Sequence, residues 1–292
     1  MRNNTIWKWT AVAAGAMLFF GTQAWAAKQA PKLSEKEFKR GIQIYFDRCA
    51  GCHGTLRKGA TGPKITQNKM LKKSLEKLEE VIYHGTTAGM PGWGRTGEMT
   101  QKDTELMAKF IQHKAPIPPE YGLRAMLKTH KVIVQPNDRP ASPQHKRDID
   151  NMFGVILRDV GQGAVIDGDT HEVIEKVKTG FAVHIFRASA SSRYFYTVGR
   201  DGKITMIDLF EKKPKVVAEV KVCADARSID VSKYNGPKGN FTDKYAIVGC
   251  YWPPQLVIVD GMTLKPIKII STRSHTYDTN EYHPEPRVAA IV

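Results

Sequence analysis

Two cysteines and a histidine at fixed spacing are the residues of this sequence best suited to chemistry. They are Cys49, Cys52 and His53, in the string CAGCH. Cys-x-x-Cys-His is the attachment signature of haem c, in which two thiols add to porphyrin vinyl groups and the histidine binds the iron. A zinc site would need a second ligand pair, and a thioredoxin-like motif would need a βαβ surrounding. The sequence has neither, so it predicts covalent haem c with His53 as an iron ligand.

The second axial ligand of that iron is expected to be a methionine. Methionine is the usual choice in an electron-transfer haem because it raises the reduction potential. Four methionines follow the motif: Met70, Met90, Met99 and Met107. Met90 stands in TTAGMPGWG, whose glycines and proline allow the chain to approach a haem edge closely. It also lies between two predicted helices, where small class I cytochromes c place their methionine. We therefore expect Met90, with His84 as an alternative.

The first third of the chain has apolar residues at helical spacing. Ser34 and Glu37 form a capping box that opens a helix through EKEFKRGIQIYFDRC. A second helix covers LKKSLEKLEEVIYHG, and a third begins at Thr100 and ends before Pro116. Three helices around a haem motif predict an all-α class I cytochrome c domain over residues 27–133.

The apolar period changes after a polar, proline-bearing linker at residues 134–150. Short strings of alternating polarity follow, and an aliphatic residue precedes Asp167, Asp208 and Asp260 near the ends of three of them. Separations of 41 and 52 residues between these aspartates are typical of propeller blades. Residues 151–292 are therefore predicted to form an incomplete all-β propeller of two to three blades, the front of a longer protein, since the last string, RVAAIV, ends within a strand.

The first 26 residues have the pattern of a secretory signal. Arg2 and Lys8 give a basic start, and the apolar run that follows is too short to span a bilayer. Ala24 and Ala26 form a small-x-small cleavage site. We expect cleavage after Ala26 and export, rather than a membrane anchor.

The two remaining cysteines, Cys223 and Cys250, lie far from the haem motif. If the strings ARSIDVS and KYAIVGCY are neighbouring antiparallel strands, the start of one lies opposite the end of the other and the two cysteines are close. A disulfide is plausible in an oxidising compartment, and two free buried thiols are equally consistent with the sequence.

The net charge of +15 is unevenly distributed. Residues 27–137 hold 20 Lys and Arg against 10 Asp and Glu. In an exported protein, a basic surface would steer small anions or an acidic protein partner rather than nucleic acid. A solvated surface without a specific partner would explain the same excess.

Five strings together resemble the cytochrome cd family, the dihaem nitrite reductases of denitrifying bacteria. They are IYFDRCAGCHGTLRKGATG, AGMPGWG, GRDGKITMIDL, YWPPQ and YHPEPRVAAI. The resemblance covers nearly the whole chain after the signal. It implies a periplasmic enzyme with an eight-bladed propeller and non-covalent haem d1, at which nitrite is reduced to nitric oxide by electrons from haem c. It also implies a small cytochrome or cupredoxin as electron donor, and a homodimer at full length.

The resemblance extends to individual residues of the propeller. The string FAVHIFRAS makes His184 the proximal ligand of the haem d1 iron, although a histidine among apolar residues would otherwise be interpreted as part of a core. Arg158, Arg200 and Arg227 are expected to pair with the haem d1 carboxylates. Tyr251 is expected to line the same pocket. Arginines at strand ends are otherwise typical of a solvated rim.

The catalytic residues of the family are not expected within this sequence. Its two distal histidines, proposed to deliver protons, lie beyond RVAAIV, and His275 and His283 stand in other strings. The chain alone is therefore expected to be inactive. Two alternative functions stay open: a dihydro-haem d1 dehydrogenase of the same fold, which acts in haem d1 maturation, and a c-type electron carrier whose propeller docks partners.

Overall fold

The structure is a computed structural model that describes residues 29–272 and residue 291. The predicted signal sequence, His275 and His283 lie outside the described residues, as does most of the RVAAIV string. In the part of the chain that is described, no helix is both long and apolar enough to cross a membrane.

Helices make up the first part of the described chain. They are α1 Glu35–Ile44, α2 Ala50–His53, α3 Gln67–Met70, α4 Leu75–His84, α5 Gln101–Phe110 and α6 Leu123–Thr129. The predicted capping box begins α1, where the Ser34 hydroxyl accepts from the Glu37 N–H at 3.3 Å and the Glu37 carboxylate accepts from the Ser34 N–H at 2.8 Å. A π-helical turn, Tyr45–Cys49, joins α1 to α2, so the helical run continues into the haem motif.

A single core holds α1, α4 and α5 together. Gly41 of α1 faces Phe110 of α5, and a Cβ at position 41 would lie 2.5 Å from the ring. The two helices can meet this closely because glycine has no side chain. Tyr45 and Met107 complete the contact as fully buried side chains.

Antiparallel sheets make up the rest. The strands are β1 Lys131–Val132, β2 Met152–Leu157, β3 Gln162–Asp167, β4 Val173–Lys178, β5 Val183–Ala188, β6 Tyr194–Gly199, β7 Lys203–Asp208, β8 Lys215–Lys221, β9 Asp225–Val231, β10 Asn235–Gly236, β11 Gly239–Asn240, β12 Tyr245–Trp252, β13 Gln255–Asp260 and β14 Pro266–Ser271. Their orders are β1-β8-β7-β6-β5, β14-β13-β12-β9 and β2-β3-β4, with β10-β11 a separate hairpin. Strand β4 was not predicted from the sequence, because its charged residues obscure the alternation of polar and apolar side chains.

The repeated aspartates have the same structural role in three sheets. Asp167, Asp208 and Asp260 end β3, β7 and β13, and each carboxylate accepts from the backbone N–H two residues later, at 2.9, 3.0 and 3.1 Å. This bond forms the turn into the next antiparallel strand. The sequence repeat is therefore a strand–turn–strand unit used three times.

The stretch over residues 134–150 packs on the sheets. Arg139 is buried there and donates to the Val134 carbonyl at 2.9 Å and to the Tyr194 hydroxyl at 3.3 Å. Just before it, β1 pairs with β8 on the outer edge of its sheet. The connection between the helical and β regions is thus fixed at several points.

Cys223 and Cys250 form a disulfide, with 6.3 Å between their Cα atoms. Strands β9 and β12 pair antiparallel, with Asp225 opposite Trp252. This is the arrangement in which the start of one strand meets the end of the other. Of the two possibilities left open by the sequence, the structure has the bridge.

Candidate cofactor sites

The haem motif lies at the end of the first helical run. Cys49 and Cys52 are half-buried and unbonded, and His53 is buried. The Nδ1–H of His53 donates to the Pro63 carbonyl at 2.8 Å, which leaves Nε2 able to bind a metal. Gly62 lies against the imidazole, where a Cβ would be 3.2 Å from Cε1. Free thiols beside an oriented imidazole fit a covalently attached haem.

Two observations argue against a thioredoxin-like motif and against a zinc site at these residues. Desolvation raises the pKa of the Cys49 thiol to about 12, whereas the nucleophile of a thioredoxin-like site has a lowered pKa. Among the described residues, no group of three or more His, Cys, Asp or Glu side chains could hold a metal ion. A cysteine–histidine zinc site therefore has no support within residues 29–272.

Met90 and His84 differ in their surroundings. Met90 is half-buried and packs against the core that also contains Cys49. Its backbone bonds twice to Thr86, which closes the loop: the Met90 N–H donates to the hydroxyl at 3.3 Å and its carbonyl accepts from the Thr86 N–H at 3.0 Å. His84 is exposed at the end of α4, with its ring against Tyr83. The other three methionines are buried in the core: Met70, Met99 and Met107. These positions favour Met90 as the second axial ligand.

Arg57 is a residue of this site that the sequence patterns missed. Its guanidinium is fully buried between the rings of Tyr45 and Phe110, with its central carbon 5.0 and 4.7 Å from their centroids. Its Nη1 donates to the carbonyls of Ile111 at 3.2 Å and His113 at 2.8 Å, where α5 ends and leaves carbonyls without helical partners. Arg57 thus ties the loop after the haem motif to the last helix of the core. The sequence shows only that an arginine follows the motif in the string LRKGATGP, which does not predict its buried position.

A second cluster forms where three sheets meet. It contains His184 on β5, Arg227 on β9 and Tyr251 on β12, with Arg200 in the β6–β7 turn and Arg158 after β2. Arg227 Nη1 lies 3.3 Å from His184 Nε2, and the guanidinium carbon lies 4.6 Å from the Tyr251 ring centroid. His184 is exposed on this surface rather than packed in the core. The structure therefore brings His184, Arg227 and Tyr251 into contact. Arg200 lies beside Arg227 on a shared carboxylate, and Arg158 influences His184 through its charge.

The charges of this cluster are unbalanced. Arg200 pairs with Asp225 through Nε at 3.1 Å and Nη2 at 3.3 Å. Arg227 Nε lies 3.9 Å from the same carboxylate, and it is buried without a hydrogen bond. Partial desolvation by its neighbours, together with the charges of Arg227, Arg200 and Arg158, lowers the pKa of His184, which favours the neutral imidazole that binds metals. Arg158 pairs with Asp159 at 3.4 Å, so three guanidinium groups face two carboxylates. This excess of positive charge, an unsatisfied N–H and a neutral imidazole fit an anionic, metal-containing ligand.

The two sites share a boundary. Gly51, between the two haem-motif cysteines, lies against Arg200, so that a Cβ at position 51 would be 3.2 Å from Nε and 3.3 Å from Nη2. The Trp93 ring packs on Phe181 with 4.6 Å between centroids, and the Arg48 guanidinium lies 5.6 Å from the centroid of the same ring. The Arg200 side chain therefore lies against the backbone of the haem motif.

Comparisons with known proteins match both regions of the chain. The family model described as "Cytochrome D1 heme domain" matches residues 147–292, and the one described as "Cytochrome C oxidase, cbb3-type, subunit III" matches residues 36–111. A nitrite reductase of Stutzerimonas stutzeri is 46% identical over 280 residues, covering 91% of this chain and 49% of the relative. A dihydro-haem d1 dehydrogenase of Pseudomonas aeruginosa is 27% identical over 234 residues, covering 79% and 45%. The chain thus spans about half the length of these relatives.

One solved structure supports the architecture. The dihydro-haem d1 dehydrogenase NirN in complex with DHE matches with a TM-score of 0.55 at 26% identity, over 80% of this chain and 48% of that chain. The prediction of a helical cytochrome c region followed by a β-sheet domain is confirmed by this match and by the match to the cytochrome c family model.

Proposed function

Because this chain belongs to the cytochrome D1 haem domain family, we propose that it is part of a dihaem nitrite reductase that forms nitric oxide. The observation that carries the proposal is the cluster of His184, Arg200 and Arg227 in contact with the haem c motif. Identity of 46% to a nitrite reductase, against 27% to a dihydro-haem d1 dehydrogenase, favours nitrite reduction over haem d1 maturation.

In this proposal, the first site would hold haem c for electron entry. Cys49 and Cys52 would hold the group covalently, and His53 and Met90 would bind its iron. The Pro63 carbonyl keeps the proton of His53 on Nδ1 and so keeps Nε2 available. When bound, haem c supplies a one-electron centre, and haem d1 supplies the iron at which nitrite is reduced.

The second site holds haem d1 by charge and by one imidazole. His184 would bind the iron, and Arg158, Arg200 and Arg227 would pair with the carboxylates. Tyr251 supports the Arg227 guanidinium by stacking. No residue of this chain is assigned to proton delivery. Nitrite turnover is therefore proposed only for the full-length product, meaning a longer polypeptide that contains this chain and the rest of the propeller.

We also propose the domain order implied by the sequence. Residues 1–26 form a cleaved signal to the periplasm, 27–133 the cytochrome c domain, 134–150 a linker and 151–292 the first part of an eight-bladed propeller. Two sheets support the propeller: β5–β8, with β1 added as a fifth strand at the edge, and the four-stranded sheet of β9, β12, β13 and β14. The three-stranded sheet β2–β4 repeats the aspartate turn of the other two. The full-length product is proposed to be a homodimer, which analytical ultracentrifugation would measure.

The electron donor is proposed to be a small periplasmic cytochrome or cupredoxin with an acidic face. The excess of Lys and Arg over residues 27–137 supports an electrostatic encounter. The rate of haem c reduction by such a donor is expected to fall at least about tenfold when the ionic strength rises from 0.01 to 0.5 M, because salt screens the attraction. Stopped-flow absorbance measures this rate, and a rate independent of salt would exclude the acidic face.

Nitrite turnover by the full-length product tests the function. With both haems bound and a reduced donor present, one electron and two protons are expected to convert each nitrite to nitric oxide and water. A nitric oxide electrode and the oxidation of the donor give this stoichiometry. If the product instead oxidises dihydro-haem d1 and leaves nitrite unchanged, it is the maturation enzyme. If it shows only the haem c spectrum, it is an electron carrier.

A further inference from the structure

The carboxylate of Asp225 lies between the two cofactor sites. It accepts both Arg200 hydrogen bonds, and the two side chains are almost fully buried, with 7% and 4% of their surfaces exposed. Paired buried charges of this kind are held in one geometry, because either charge alone would be costly in a dry environment. Arg227 approaches the same carboxylate at 3.9 Å from the side of His184. Asp225 therefore contacts the second site directly.

Arg200 carries this contact to the first site. Its guanidinium and Cβ lie where a side chain on Gly51 would be, at 3.2 to 3.4 Å from the position of that missing Cβ. The Arg200 N–H donates to the Phe181 carbonyl at 2.9 Å, and Phe181 packs on Trp93 of the cytochrome region. The position of Arg200 is thus fixed at the boundary by its backbone as well as by Asp225.

The residue before Asp225 strengthens this link. Ala224 is buried in the same hydrophobic cluster as α1, α4 and α5, and Trp252, opposite Asp225 on β12, belongs to that cluster too. The start of β9 therefore packs on the cytochrome core. A change in the charge of the Arg200–Asp225 pair acts next to the haem c motif in a region with little water to screen it.

We propose that Asp225 is a positioning residue that holds Arg200 against Gly51 and thereby sets the reduction potential of haem c. The assignment of haem d1 to the second site rests on the proposed function, whereas this role of Asp225 requires only haem c. Reduction lowers the positive charge of the iron by one. An uncompensated cation beside the haem motif therefore favours the reduced form, and an uncompensated anion favours the oxidised form.

Two substitutions with opposite charge effects test the proposal. Asp225→Asn leaves Arg200 uncompensated and is expected to shift the reduction equilibrium of haem c about tenfold towards the reduced form, or about 59 mV for one electron. Arg200→Gln leaves the Asp225 carboxylate with only the more distant Arg227 guanidinium, at 3.9 Å, among the arginines of this cluster, and is expected to shift the equilibrium in the opposite direction. Spectroelectrochemical titration of haem c in the full-length product, before haem d1 is added, gives both values.

A matched buried pair provides the control. Asp208 pairs with Arg193 through the same two-bond geometry, at 3.3 and 2.8 Å, and lies at the end of β7 far from the Arg200 turn. Asp208→Asn is expected to leave the haem c equilibrium within about twofold. The proposal would be overturned if Asp225→Asn and Arg200→Gln shifted the haem c equilibrium in the same direction. It would also be overturned if neither shift were larger than that of Asp208→Asn. Opposite shifts in a protein without nitrite turnover would contradict only the proposed function.

Discussion

A chain in which serine replaces both Cys49 and Cys52 is expected to lose its covalent haem completely. A serine hydroxyl cannot form the thioether bond that each cysteine forms with a porphyrin vinyl group, and His53 alone provides only a reversible bond to iron. Haem staining after denaturing electrophoresis, with the mass of the intact chain, measures the attached haem. The wild-type chain is expected to carry one haem and the variant none.

The disulfide cysteines provide the matched control for this result. Replacing Cys223 and Cys250 by serine also removes two thiols, but their sulfurs are bonded to each other. This variant is expected to keep its covalent haem and to lose about 2–4 kcal/mol of unfolding free energy. Haem that stays bound to the Cys49→Ser, Cys52→Ser chain through denaturation would contradict the assignment of the motif.

His184→Ala is expected to weaken haem d1 binding by at least about 100-fold in the full-length product, since altering even the groups around a metal ligand costs 10–100-fold. The imidazole is the group of this cluster that most commonly binds metals, whereas the arginines pair with carboxylates. Titration of the haem d1-free protein with haem d1, followed by absorbance, measures the affinity. The haem c spectrum is expected to stay unchanged and shows that the variant is folded.

A second histidine variant separates ligation from a general effect. His171 is exposed in the turn between β3 and β4 and has a φ of 62°. Asparagine tolerates this backbone conformation, so His171→Asn is expected to bind haem d1 like the wild type. Equal affinities of His184→Ala and the wild type would exclude His184 as the iron ligand.

The haem c site could be predicted from the sequence because its chemistry is local. Three residues within five positions define the motif. The roles of the Pro63 carbonyl and of Arg57 could not be predicted, because their contacts depend on how a glycine-rich loop folds back on the motif and on α5. Helix α6 was also missed: it has only seven residues, too few for a stable isolated helix, and it packs against β8 and β14.

The second site needed the family resemblance. His184 and Arg227 are 43 residues apart in the chain and lie in different sheets. No local pattern places them together, and mid-strand His184 matches a core position by its neighbours alone. Neither the local sequence patterns nor the family resemblance identified Asp225. Its role emerges only where β9 meets both the β6–β7 turn and the cytochrome core.

The short strand β1 has a consequence for how electrons cross the proposed reductase. Only Lys131 and Val132 form it, yet they attach the chain leaving the helical region to the outer edge of β8 before it returns to begin β2. In the proposed reductase, electron transfer from haem c to haem d1 would then be a first-order event within one molecule, with a rate set by a built-in spacing. We expect that rate not to depend on protein concentration.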